Sequence, residues 1–156
     1  LKFKNSFHLT RGNYELISVL EESVSDSPFV IKGQFIDLFD PQLPIVSSKS
    51  IQPGNQSMLF NLGNIKNKKE AQVLASAARV SDENRGKGLY AFITKGPIET
   101  ANVMRILLPR KPKECKALDS KGVEYPSFLW EWDGSSNTIL VKFDNDPDGT
   151  LVSITY

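Results

Sequence analysis

The closing third of the chain constrains its fold more than any other stretch, because it is a series of short apolar runs, each cut off by a turn signal. Residues 102–108 (NVMRILL) stop at Pro109, and residues 128–132 (FLWEW) stop at Asp133-Gly134. Residues 137–143 (NTILVKF) run into 144–149 (DNDPDG), and 150–156 (TLVSITY) follow. Segments this short, rich in β-branched and aromatic residues and bounded by Pro, Gly and Asp, predict antiparallel strands joined by hairpins.

The same pattern extends upstream. Residues 13–19 (NYELISV) and 29–39 (FVIKGQFIDLF) read as strands on either side of a polar loop at 21–28 (EESVSDSP). In the second run, alternation puts Ile31, Phe35 and Phe39 on one face and Lys32 and Gln34 on the other. Val30, Ile36 and Leu38 share that second face, so the strand belongs inside a covered sheet or crosses between sheets. Residues 40–44 (DPQLP) break the chain, and a Pro53-Gly54-Asn55 turn leads into a strand at 57–62 (SMLFNL). Residues 65–70 (IKNKKE) read as a charged loop. Residues 72–80 (QVLASAARV) have the Ala and Leu content of a helix, but a nine-residue helix with a weak apolar stripe is marginal, so a strand is expected. A polar turn at 81–88 (SDENRGKG) and a buried strand at 89–94 (LYAFIT) complete the pass. The sum is ten or eleven strands and no helix: an all-β fold, a two-sheet antiparallel β-sandwich.

Bulk properties set the boundaries. A length of 156 residues suits a single domain spanning 1–156. A net charge of +1 gives no electrostatic footprint for nucleic acid or an anionic membrane. No apolar run approaches the ~20 residues that span a bilayer. The single cysteine, Cys115, excludes an internal disulfide without fixing the compartment. The chain begins at Leu1 with no signal peptide, so a mature or excised piece of a longer protein is expected.

Few constellations point to chemistry. Asp144, Asp146 and Asp148 before Gly149 match the opening of an oxygen-ligand calcium loop. The place of its bidentate Glu is held by Thr155, and Pro147-Asp148-Gly149 is turn chemistry on its own. Phe128, Trp130 and Trp132 share one strand face, with Tyr125 just upstream. Exposed, the two indoles and Tyr125 would make a stacking platform for sugar rings; buried, they are core. A glycosidase needs two carboxyls ~5–10 Å apart. Glu21 and Glu22 diverge as strand neighbours, and Glu131 and Asp133 share a face beside a turn. His8, the sole histidine, lies near the amino end, and Cys115 sits in KECK, where lysines favour a thiolate; neither has an evident partner. No cofactor is expected, and the ligand types for a zinc site are too few.

Whole stretches resemble a known region. RGNYELISVLEESVSD, KGQFIDLFDPQLP and PGNQSMLFNL in the first part, and VLASAARV, KGPIETANVMRILLP, WEWD and NDPDGTLVSITY in the second, cover most of the chain. Together they resemble the C-terminal β-sandwich region of large six-hairpin-barrel glycosidase-like proteins from polysaccharide-degrading bacteria. The resemblance lies in turns and core spacing. It implies a secreted, periplasmic or extracellular, bacterial protein whose catalytic barrel is the partner of this region within the same parent chain. It also implies that the catalytic acid and base sit on that barrel, so no catalytic residue is carried over. The expected role is a non-catalytic accessory domain, with polysaccharide binding as the alternative.

Overall fold

The computed structural model describes residues 4–21 and 25–156. Among them are thirteen strands, no α-helix and a single 3-10 turn at Leu62–Asn64. The all-β antiparallel expectation holds. The chain divides into two compact units, Leu1–Lys66 and Asn67–Tyr156.

The first unit holds one five-stranded sheet, in the order β1-β2-β5-β3-β4. Its strands are β1 (Ser6–Arg11), β2 (Tyr14–Val19), β3 (Phe29–Asp37), β4 (Ile45–Ile51) and β5 (Gln56–Asn61). Ile17, Val19, Phe35, Ile51 and Leu59 form its core, with Phe29, Ile31 and Val46 packed against it. The pairing of β3 with β4 shifts register between Lys32 and Phe35. Gly33 takes φ +152° there, and a side chain at that position would meet the Phe35 ring at 2.7 Å. The bulge lets both Phe35 and Ile36 be buried, and the strand ends at Asp37. Phe39, expected on the face of Phe35, lies beyond the strand and is exposed. The DPQLP break is a capped turn: the Asp40 carboxylate accepts from Gln42 N–H at 2.8 Å, and Leu43 N–H donates to Asp40 C=O at 2.9 Å.

The second unit is the two-sheet sandwich. One sheet runs β10-β13-β8-β7, the other β11-β12-β9-β6. The strands are β6 (Gln72–Ser76), β7 (Arg79–Gly86), β8 (Leu89–Lys95), β9 (Ala101–Leu107), β10 (Glu114–Leu118), β11 (Leu129–Asp133), β12 (Thr138–Asp144) and β13 (Thr150–Thr155). Alternation along each strand delivers the core: Tyr90 and Phe92, Met104 and Ile106, Ile139, Val141 and Phe143, Val152 and Ile154. These residues come from both sheets, so one layer of side chains fills the space between them.

Residues 72–80 are β-structure, as expected, but as two strands parted near Ala77. Residues 81–88, read as a polar turn, are instead mostly β7, whose side chains face solvent and so lack apolar alternation. The strands β4 and β10 carry polar residues at most outward positions, and in β1 the apolar Phe7 and Leu9 are the exposed ones; none was legible as an apolar run.

Phe92 is 1% exposed between two sheets. Phe92→Ala is expected to cost about 3–5 kcal/mol in denaturant unfolding. Leu129→Ala, on an exposed position of β11, is expected to stay within about 0.5 kcal/mol of the parent chain.

Candidate functional site

The aromatic strand β11 lies at the open edge of its sheet, paired only with β12. Trp130 stands opposite Val141 and Trp132 opposite Ile139, both fully buried. The two indoles therefore point to the core side, as the period-two reading requires. Their fates differ. Trp132 packs against the core, as do Phe128 and Tyr125, whereas Trp130 remains 40% exposed. On the opposite face, Leu129, Glu131, Leu140 and Lys142 line a small groove of about 180 Å³, with Trp130 completing its lining. That volume is below the ~300–1,000 Å³ of drug-sized sites and suits one ring-sized group.

Tyr125 is fixed by hydrogen bonds rather than presented to solvent. Its hydroxyl donates to Asp146 Oδ2 and accepts from Thr150 Oγ1, each at 3.2 Å. Its ring lies 6.3 Å from that of Phe143. Burial, and the Asp146 carboxylate beside it, push the phenol above its ordinary pKa.

Two of the three loop aspartates accept from separate donors. Asp146 accepts from Asp148 N–H at 2.8 Å as well as from Tyr125, and Asp144 accepts from Ser127 Oγ at 3.2 Å. Gly149 N–H donates to Asp146 C=O at 3.2 Å, closing the turn. Among the described residues, no three His, Cys, Asp or Glu are grouped so as to hold a metal ion.

The carboxylates beside Trp130 and Trp132 are Glu131, which is exposed, and Asp133, which caps the following turn. Asp133 accepts from Ser135 N–H at 2.8 Å, Ser135 Oγ at 2.6 Å and Ser136 Oγ at 2.9 Å. Burial raises its pKa, but these bonds outweigh burial and hold it below the ordinary value. Arg105, 6% exposed on β9, donates to Thr138 Oγ1 at 3.4 Å. Burial lowers the guanidinium pKa, opposed by the charges of Asp133 and Glu131. Glu22 lies outside the described residues, and Glu21 is exposed.

His8, expected at a loose chain end, is in β1. Its Nε2–H donates to Glu15 Oε2 at 2.9 Å. Thr10 Oγ1 and Asn61 Nδ2 donate to the same carboxylate at 2.6 and 3.0 Å. Glu15 is 4% exposed. Burial raises its pKa, yet the three donors prevail and the net shift is downward. Sequence reasoning passed over Glu15; its signal was an acid at an inward position of β2, opposite Thr10 in β1. Cys115 is buried in β10, and burial pushes its thiol up to about 12, far from a nucleophile's range. Tyr90 donates to Glu83, which also pairs with Arg85, and Arg85 lies 5.1 Å over the Tyr90 ring.

No family model and no curated protein matches the sequence. Among solved structures, the chain aligns with a GH31 dextranase from Flavobacterium johnsoniae, in its complexes with isomaltotriose and with glucose. The two alignments have 12% and 11% identity and a TM-score of 0.41, and cover 90% of this chain and 26% of the dextranase. At that similarity the alignment assigns neither family nor activity.

The ionised form of Glu15 is the one its three donors hold. Its stabilisation is fully present above the ordinary value of 4.5 and is lost as pH falls through the lowered folded value. Glu15→Gln turns an amide donor toward three donors, so a loss of about 1–3 kcal/mol is expected at neutral pH. Denaturant unfolding at acid pH should show that deficit shrinking. For the indoles, Trp132→Ala is expected to cost about 3 kcal/mol and Trp130→Ala about 1 kcal/mol or less, read from the same unfolding curves.

Proposed function

We propose that this chain is a non-catalytic accessory β-region of a carbohydrate-active, glycosidase-like protein, supporting a catalytic barrel in the same parent chain outside the cytoplasm. The class comes from the sequence resemblance, which covers most of the chain. The dextranase aligned with it is, by its name, a carbohydrate-active enzyme; the proposal does not lean on that alignment.

One observation carries the supporting role. The buried or half-buried acids are engaged within their own units, where they brace strands. Glu15 ties β1, β2 and β5 together through His8, Thr10 and Asn61. Asp37 pairs with Lys49 across β3 and β4. Asp133 caps the β11–β12 turn, and Asp146 ties its loop to Tyr125. Groups saturated with internal donors in this way stabilise a scaffold; a catalytic acid or base has to keep a site open for the proton it moves.

The exposed face of Trp130 favours a second reading, sugar binding. An indole at 40% exposure on an open strand edge offers an apolar surface to a pyranose. Trp132 and Tyr125, packed on the core, would then hold the platform in place.

Incubation of the chain with a panel of polysaccharides is expected to release no reducing sugar. Release that disappears in the Glu131→Gln, Asp133→Asn double variant would overturn the non-catalytic reading. Calorimetric titration with the same panel separates the two remaining roles: binding that Trp130→Ala removes, with stability kept, selects the sugar-binding module.

A further inference from the structure

The four outer strands of the sandwich are not guarded alike. A sheet edge presents unpaired N–H and C=O groups, and proteins blunt it with bulges, charges or cover. The β7 edge has a register shift between Ser81 and Asn84 and carries Asp82, Glu83 and Arg85. The β6 edge has a shift between Val73 and Ala75. The β10 edge carries Glu114 and Lys116, joined as an ion pair at 2.7 Å. The β11 edge has regular pairing with β12 and the sequence Leu-Trp-Glu-Trp-Asp, whose only charges are the carboxylates Glu131 and Asp133, with no lysine and no proline. Leu129 and Trp130 are 66% and 40% exposed along it. Among the described residues, no segment pairs with its outer side.

We propose that β11 is a self-association edge, on which a second copy of this chain adds its own β11 antiparallel about a two-fold axis at Trp130. The sequence is complementary to itself in that register. Trp130 meets Trp130 of the second copy, Leu129 meets Glu131, and Trp132 lies across from Phe128, the residue just before β11. Aromatic residues thus face aromatic residues across the axis, and no like charges stand opposite each other. Moving the axis to Glu131 sets two carboxylates face to face, and moving it to Leu129 sets Trp132 against Pro126, which has no N–H to give the ladder. The symmetric contact is isologous and closes at two copies, joining two four-stranded sheets into one. Glu131, next to the axis, favours this pairing over indiscriminate stacking, because every other close register brings it against an acid or loses an aromatic pair.

The test is sedimentation velocity of the full chain from micromolar to millimolar concentration. A reversible monomer–dimer equilibrium is expected. Trp130→Lys puts two ammonium groups opposite each other and is expected to weaken the dimer by about tenfold or more. Leu129→Lys places a lysine opposite Glu131 and is expected to tighten it, the reverse of what a lysine does on an edge that meets nothing. Trp130→Cys is expected to form a disulfide-linked dimer on mild oxidation, since residues directly opposite in such a ladder lie within disulfide reach. Monomer throughout the concentration range, or a dimer that Trp130→Lys leaves unchanged, overturns the proposal. Sedimentation without any polysaccharide present keeps the result independent of the glycan reading.

Discussion

Two sheets facing each other across one layer of apolar side chains set the conditions for everything else in residues 67–156. Tyr90, Phe92, Val152 and Ile154 come from one sheet, and Met104, Ile106, Ile139, Val141 and Phe143 from the other. Each alternates with a residue on the other face of its sheet, so filling the core fixes the register of β8, β9, β12 and β13. A slip by one residue would expose all of these side chains together. The strands outside this central group inherit their positions from it: β11 is placed by β12, β10 by β13, β7 by β8 and β6 by β9.

The polar side chains then act at the margins of what packing has fixed. Glu15, Asp133 and Asp146 each gather two or more donors at a strand pair or turn. A buried carboxylate is costly unless its lone pairs are satisfied, and each of these is satisfied by local partners. Such groups specify which loop meets which strand. On β11 an exposed aromatic side chain, an exposed aliphatic one and a carboxylate share one short strand.

The central strands were legible because burial on at least one face imposes alternation that survives in the sequence: LYAFIT, NVMRILL, NTILVKF and TLVSITY all became strands close to their expected limits. The peripheral strands were hidden for the opposite reason. In β7, Asp82, Glu83, Asn84 and Arg85 are exposed and their contacts are polar, so the strand shows no hydrophobic period. Phe39 left the face that simple alternation gave it because the strand ends at Asp37. Trp130 and Trp132 were correctly placed on one face, but their different exposure depends on which strands flank β11, a non-local fact absent from a run of five residues. The internal bonding of Glu15 was equally hidden, since two of its donors, His8 and Asn61, stand on different strands that only the folded sheet brings together.

The lone thiol has a wider consequence. Cys115 is 7% exposed in the sandwich core, and burial holds it in its protonated form. Thiolate is the species that oxidises, exchanges and alkylates, so the folded chain offers almost none of it. A folded copy therefore keeps the same covalent state in a reducing cytoplasm and in an oxidising exterior. Passage between the two demands no remodelling of its bonds, and a reactive sulfur introduced at its surface would meet no reactive thiol within its own copy.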